Sequence, residues 1–113
     1  MRSISLRIDL EAEGRIGPGK VELLEQIAAH GSISAGARRM GMSYKHAWLL
    51  VEDMNRLFRK PVVAARKGGQ RGGGAELTPI GLAIVARYRA IERAAEAAAA
   101  PHIAALRQEI ESG

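Results

Sequence analysis

Gly31-Ser32-Ile33-Ser34-Ala35-Gly36-Ala37-Arg38-Arg39-Met40-Gly41-Met42-Ser43-Tyr44-Lys45-His46-Ala47-Trp48 holds two helix starts close together. Ser34 is placed to cap a short helix and Ser43 a longer one. In each case the hydroxyl would accept a hydrogen bond from a backbone N–H that the first turn leaves unpaired. Gly41 lies between them, where a chain that must stop and turn needs a residue tolerant of positive φ. A short helix, a tight turn and a longer helix outline a helix-turn-helix, whose second helix enters a DNA major groove tip first. The tip residues here are Ser43, Tyr44, Lys45 and His46.

Beyond the tip, Ala47, Leu50, Val51, Met54 and Phe58 recur at three- and four-residue steps and share one apolar face. Lys45, Leu49, Glu52 and Arg56 fall opposite and must point outward. Taken alone, an ordinary amphipathic surface helix reads the same way. Trp48 and Tyr44 lie four apart. Such a pair more often fills the rim of a core, so Trp48 is expected to be structural, while Tyr44 at the tip suits either role. In the preceding short helix, Ala35, Ala37 and Met40 are its inner contacts and Ile33 packs into the core. Arg38 and Arg39 lie outside, where the first helix of such a motif crosses the DNA backbone.

The charge is placed to match. Net charge is +5 over 113 residues, but residues 34–74 hold nine Lys/Arg against two acids, a balance of +7. The remainder holds eight against ten, a balance of −2. Positive charge segregated onto the reading segment is the footprint of a polyanion binder. The length implies one domain, residues 1–113, with one core. No apolar run is long enough to cross a membrane, the N-terminus does not read as a signal peptide, and the chain is expected to be cytoplasmic. Cysteine is absent, which excludes disulfides and thiolate chemistry. Glu52 and Asp53 are adjacent acids on one helix, and His30, His46 and His102 are dispersed. His30 suits the negative end of a helix dipole. No nucleophile–base pair stands out, so neither an enzyme, a metal site nor a cofactor is expected.

Upstream, Ile4, Leu6, Ile8 and Leu10 alternate with polar residues, which predicts a strand returning over Arg15–Gly17. Pro18 suits a helix start, and Val21, Leu23, Leu24, Ile27 and Ala28 predict a helix to His30, closed by Gly31. Downstream, Pro61 ends the third helix. Val62–Arg66 and Ala75–Thr78 read as two short strands joined by Lys67-Gly68-Gly69-Gln70-Arg71-Gly72-Gly73-Gly74. Lys67 and Arg71 at such a tip have the reach for phosphates or a minor groove. The Gly-Lys-Ser/Thr of a P-loop is missing, and a strand rather than a helix follows. A basic hairpin directly after a helix-turn-helix is the form of a wing. Thr78-Pro79 then starts a helix expected to run to about Ala100. Pro101 interrupts, and a short helix is expected from His102 to Glu111. Ile84, Tyr88, Ile91 and Ala95, continued by Ile103, Leu106 and Ile110, form an apolar stripe read as a dimer surface, so residues 78–113 are a helical dimerisation segment. The fold expected is mainly α with a small β component, a winged helix-turn-helix with a long C-terminal helical segment.

Gly31-Ser32-Ile33-Ser34, Ser43-Tyr44-Lys45 with Ala47-Trp48, Asp53-Met54-Asn55 and, above all, Gly68-Gly69-Gln70-Arg71-Gly72-Gly73-Gly74-Ala75-Glu76-Leu77-Thr78 resemble the N-terminal DNA-binding domain of the ModE family of molybdate-responsive transcriptional regulators. That domain is winged-helix and akin to the LysR-type reader. The resemblance covers roughly residues 4 to 95. It implies a dimer reading palindromic operators, with Ser43, Tyr44, Lys45 and His46 in the reading-helix role and Lys67, Gln70 and Arg71 in the wing role. With Ser34, Arg38, Arg39 and Arg56, these make up the candidate DNA-contacting set. Leu49 departs in being apolar on the outward face. The family's molybdate-binding domains lie outside these 113 residues, and no oxyanion cage is visible, so molybdate binding is not carried over. The expected partners are double-stranded DNA and a second copy, with no membrane. Two other readings remain at this point: a non-specific architectural DNA binder, and a protein–protein module paired with a separate sensor.

Overall fold

The computed structural model describes residues 3–12, 14–66 and 74–113. Three helices form the centre. The first, α1 (Pro18–His30), begins with proline at its first position and buries Val21, Leu23, Leu24 and Ile27. Burying side chains of this size stabilises the fold by about 1.5–3 kcal/mol each. Ala28, expected on that face, is exposed in the last turn. Gly31 closes the helix at φ +78°, its N–H donating to the Ile27 carbonyl at 2.8 Å. That conformation is easy only for glycine.

Next come α2 (Ile33–Arg39) and α3 (Tyr44–Phe58). The cap of α2 is Ser32, not Ser34. Ser32 has the extended backbone of a capping residue, and its Oγ accepts the Ala35 N–H at 3.0 Å. Ser34 lies inside the helix and is exposed. Ser43 caps α3 as the sequence predicts, accepting the His46 N–H at 3.1 Å. Between the helices Gly41 sits at φ +68°, and the Met42 N–H donates to the Ala37 carbonyl at 3.0 Å. The turn is therefore held by backbone bonds that fix how α3 leaves α2. Ala47, Val51 and Met54 are buried on α3, with Leu50 and Phe58 partly so.

The wing follows as β3 (Val63–Arg66) and β4 (Gly74–Leu77), antiparallel with Val63 opposite Leu77 and Arg66 opposite Gly74. Its tip, with Lys67, Gln70 and Arg71, lies outside the described residues. At the N-terminus β1 (Ile8–Glu11) pairs with β2 (Gly14–Ile16). The alternation from Ile4 predicted a longer strand. Ile4 to Arg7 do alternate between half-buried and exposed, but they have no ladder partner. Side chains of the last helix serve them instead: the Tyr88 O–H donates to the Leu6 carbonyl at 2.5 Å, and Glu96 accepts the Ile4 N–H at 3.3 Å.

That last helix, α4 (Pro79–Ser112), is one continuous element of 34 residues with Pro101 inside it. The expected break does not occur. An internal proline removes one backbone bond and crowds the carbonyl four residues earlier. Here that residue is Ala97, exposed to water, and the flanks are alanine-rich. Arg89 ties α4 to α1, donating to Glu25 at 2.5 and 3.1 Å and to Glu92 at 2.6 Å. The hydrogen bond to Glu25, foremost, holds the guanidinium pKa above its ordinary value despite burial. The molecule measures 60 × 28 × 21 Å with a radius of gyration of 17.0 Å. A compact chain of this length has about 13 Å. The difference is the far half of α4, which overhangs the body. Among the described residues no helix is long and apolar enough to cross a membrane.

Candidate nucleic-acid interface

Four side chains predicted for base contact, Ser43, Tyr44, Lys45 and His46, are all exposed at the start of α3. The cap bond and the apolar face of Ala47, Val51 and Met54 hold that tip out from the core. Arg38 and Arg39 are exposed in the last turn of α2, joined to the tip only by the Met40–Ser43 connection. Ser34 is exposed at the other end of α2. Arg38 and Arg39 are thus exposed cations within a few residues of the α3 tip in the chain.

Arg56 stands apart. It lies 12 residues along α3 from Tyr44, about 18 Å at 1.5 Å per residue, and is paired with Asp53. Glu52, on the same outward side, accepts from the Asn55 side-chain amide at 3.2 Å. Two carboxylates on the far half of the helix disfavour phosphate there. The first two turns of α3 carry Lys45 and no carboxylate. Those turns also hold Trp48, expected at a core rim but 42% exposed, and Leu49 at 47%.

Asn55, quoted above only within a stretch that carries the family resemblance, has a structural role that the sequence reading did not assign. Its Oδ1 accepts the Val62 N–H at 2.8 Å and so pins the entry to the wing onto α3. A polar residue close to Val51 on the helix surface was the available signal. Thr78 completes the latch. Its N–H donates to the Val62 carbonyl at 3.0 Å, its Oγ1 donates to the Pro61 carbonyl at 2.7 Å, and the same oxygen accepts the Gly81 N–H at 3.2 Å. At the other strand the Ala75 N–H donates to the Gly31 carbonyl at 2.7 Å. The base of the hairpin is thus bonded to α3, to the start of α4 and to the end of α1.

The stripe predicted for dimerisation divides. Ile84 and Tyr88 are buried in the protomer's own core, because α4 packs there against α1 and β4 and Tyr88 is bonded to the Leu6 carbonyl of the N-terminal segment. Ile91 and Leu106 are exposed, and Ala95 and Ile103 are half-buried. Leu106 and Ile110, 67% and 78% exposed, lie on the overhang. Among the described residues no cluster of three His, Asp or Glu is arranged to hold a metal ion.

No protein-family model matches the chain. The molybdenum-pterin-binding protein MopB of Rhodobacter capsulatus is 54% identical over 84 residues, which is 74% of this chain and 31% of that protein. The DNA-binding transcriptional dual regulator ModE of Escherichia coli is 40% identical over 85 residues, 75% of this chain and 32% of that protein. The molybdenum transport protein ModE of Azotobacter vinelandii is 39% identical over 87 residues, 77% of this chain and 32% of that protein. The chain thus spans about a third of the length of the curated relatives it matches. In the stretch it shares with them, this chain is similar to the ModE regulators and to MopB.

Proposed function

We propose that this chain is a sequence-specific DNA-binding transcriptional regulator that reads a palindromic site as a homodimer, in molybdenum-linked gene control. The observation that carries the reading is the capped, exposed tip of α3, with Ser43, Tyr44, Lys45 and His46 beside Arg38 and Arg39. Lys45 and the tip residues supply base contacts. Arg38, Arg39 and the wing cations supply phosphate contacts, which set register without reading sequence. The relatives named as transcriptional regulators and as molybdenum proteins give the biological setting.

The second copy is supported by the apolar surface that one protomer leaves uncovered. Leu106 and Ile110 lie on the overhang, and a groove of about 220 Å³ lined by Ile8, Leu10, Phe58, Ile80, Ile84 and Ile91 lies on the body. A two-fold axis lets each chain offer both surfaces to the other. On a palindromic site the two reading helices would then lie about 34 Å apart, one turn of the duplex.

The deciding experiment is binding of the purified chain to its own upstream DNA at near-physiological salt, against excess random duplex, with and without molybdate. A specific complex is expected, unchanged by molybdate. Binding that random duplex competes away equally would replace this reading with an architectural one. A molybdate response would show an effector site in this chain.

A further inference from the structure

We propose that Trp48 and Leu49 read thymine methyl groups, so that the DNA site requires thymine beneath the second turn of α3. This rests on the DNA-reading role of that helix. Tyr44, Trp48 and Leu49 are three large apolar side chains left 54%, 42% and 47% exposed within the first six residues of one helix. Contiguous exposed apolar surface marks an interaction site. At about 100° per residue, Tyr44 and Trp48 lie on one flank of Lys45, and Leu49 lies one turn below it on the outward side. The core has no use for these side chains: the buried face of α3 is made by Ala47, Val51 and Met54.

The surroundings name the occupant. The patch surrounds Lys45, with Arg38 and Arg39 exposed at the end of the preceding helix, and the first carboxylates on α3 come only at Glu52 and Asp53. A surface that is cationic and apolar at once suits a duplex major groove. Leucine has no hydrogen-bonding group, and the only apolar mark on a base edge there is the thymine C5-methyl. Leu49 follows Lys45 by four residues, about 6 Å along the axis and on the order of two base pairs. The lysine and the apolar pair therefore address neighbouring bases. The tip residues select by hydrogen bonding, and Trp48 and Leu49 select by shape and desolvation.

The test begins with selection of bound duplexes from a random pool by the full chain. Each thymine of the selected site is then replaced in turn by uracil, which removes the methyl and leaves every hydrogen-bonding group. At one or two positions per half-site, uracil is expected to weaken binding about fourfold, as for one buried methyl. Leu49→Ala or Trp48→Ala should abolish that difference at its own position, with at most a small loss of melting temperature since neither residue belongs to the buried core. Lys45→Ala should weaken thymine and uracil duplexes alike. Equal binding of both duplexes at every position would overturn the proposal. So would a uracil penalty that survives both apolar substitutions, or variants that change self-association of the free protein instead of the uracil effect. Failure to enrich any sequence would overturn the DNA-reading role beneath it, a different outcome from enrichment without methyl dependence.

Discussion

Lys45 is one residue inside a capped helix end, exposed, with its nearest carboxylates on α3 two turns away. Lys45→Ala should weaken specific binding by about 1–3 kcal/mol if the ammonium meets a base edge. If it meets only phosphate, the loss should be equal on all sequences and the salt slope should fall by about one unit. Binding titrations at several salt concentrations separate the two, and unchanged affinity would remove this helix from the interface. The serines give a second test at this scale. Ser32→Ala removes the hydroxyl that accepts the Ala35 N–H and should cost about 1 kcal/mol in urea unfolding. Ser34→Ala, at an exposed position inside the helix, should be close to neutral. A reversal of the two would contradict the position of the cap.

At the scale of elements, the question is what aims the wing. Gly81, in the first turn of α4, lies so close to the Val62 carbonyl that a Cβ there would collide with backbone, which cannot swing aside. Gly81→Ala should destabilise the fold by about 1–3 kcal/mol, as overpacking does. Asn55→Leu leaves the Val62 N–H without its acceptor and should cost about 1–3 kcal/mol. It should also weaken DNA binding by more than its loss of stability explains, because the hairpin is no longer held to the reading helix. Thermal unfolding and DNA titration of the same variant check both parts. An Asn55→Leu protein that melts lower and binds DNA as before would show that the latch serves stability alone.

Across the whole molecule, the unusual feature is length. The overhang of α4 exposes Leu106 and Ile110 more fully than the fold requires of residues of this size. Leu106→Glu combined with Ile110→Glu should leave the protomer's melting behaviour nearly unchanged at low concentration. It should also shift sedimentation from dimer to monomer. Binding to a palindrome should then fall toward that of a single half-site. A variant that still sediments as a dimer would place the interface elsewhere, with the groove beside Leu10 and Ile91 the next surface to alter.

Much of this was legible in the residue string because its physics is short-range. A cap at Ser43, a positive φ at Gly31 and Gly41, a helix start at Thr78-Pro79 and an apolar face on α3 all depend on residues a turn apart. Charge segregation needs no coordinates at all. The sequence by itself therefore determined the helix-turn-helix, the strands of the wing and the segment where the positive charge collects. Tertiary structure decided what a helical wheel leaves open, namely which elements arrive at each face. It took Ile84 and Tyr88 into the core under the N-terminal segment, left Trp48 and Leu49 outside, assigned Asn55 to the wing and let α4 run through Pro101. Periodicity defines a face, but burial depends on the neighbour that covers it, and that neighbour comes from distant parts of the chain.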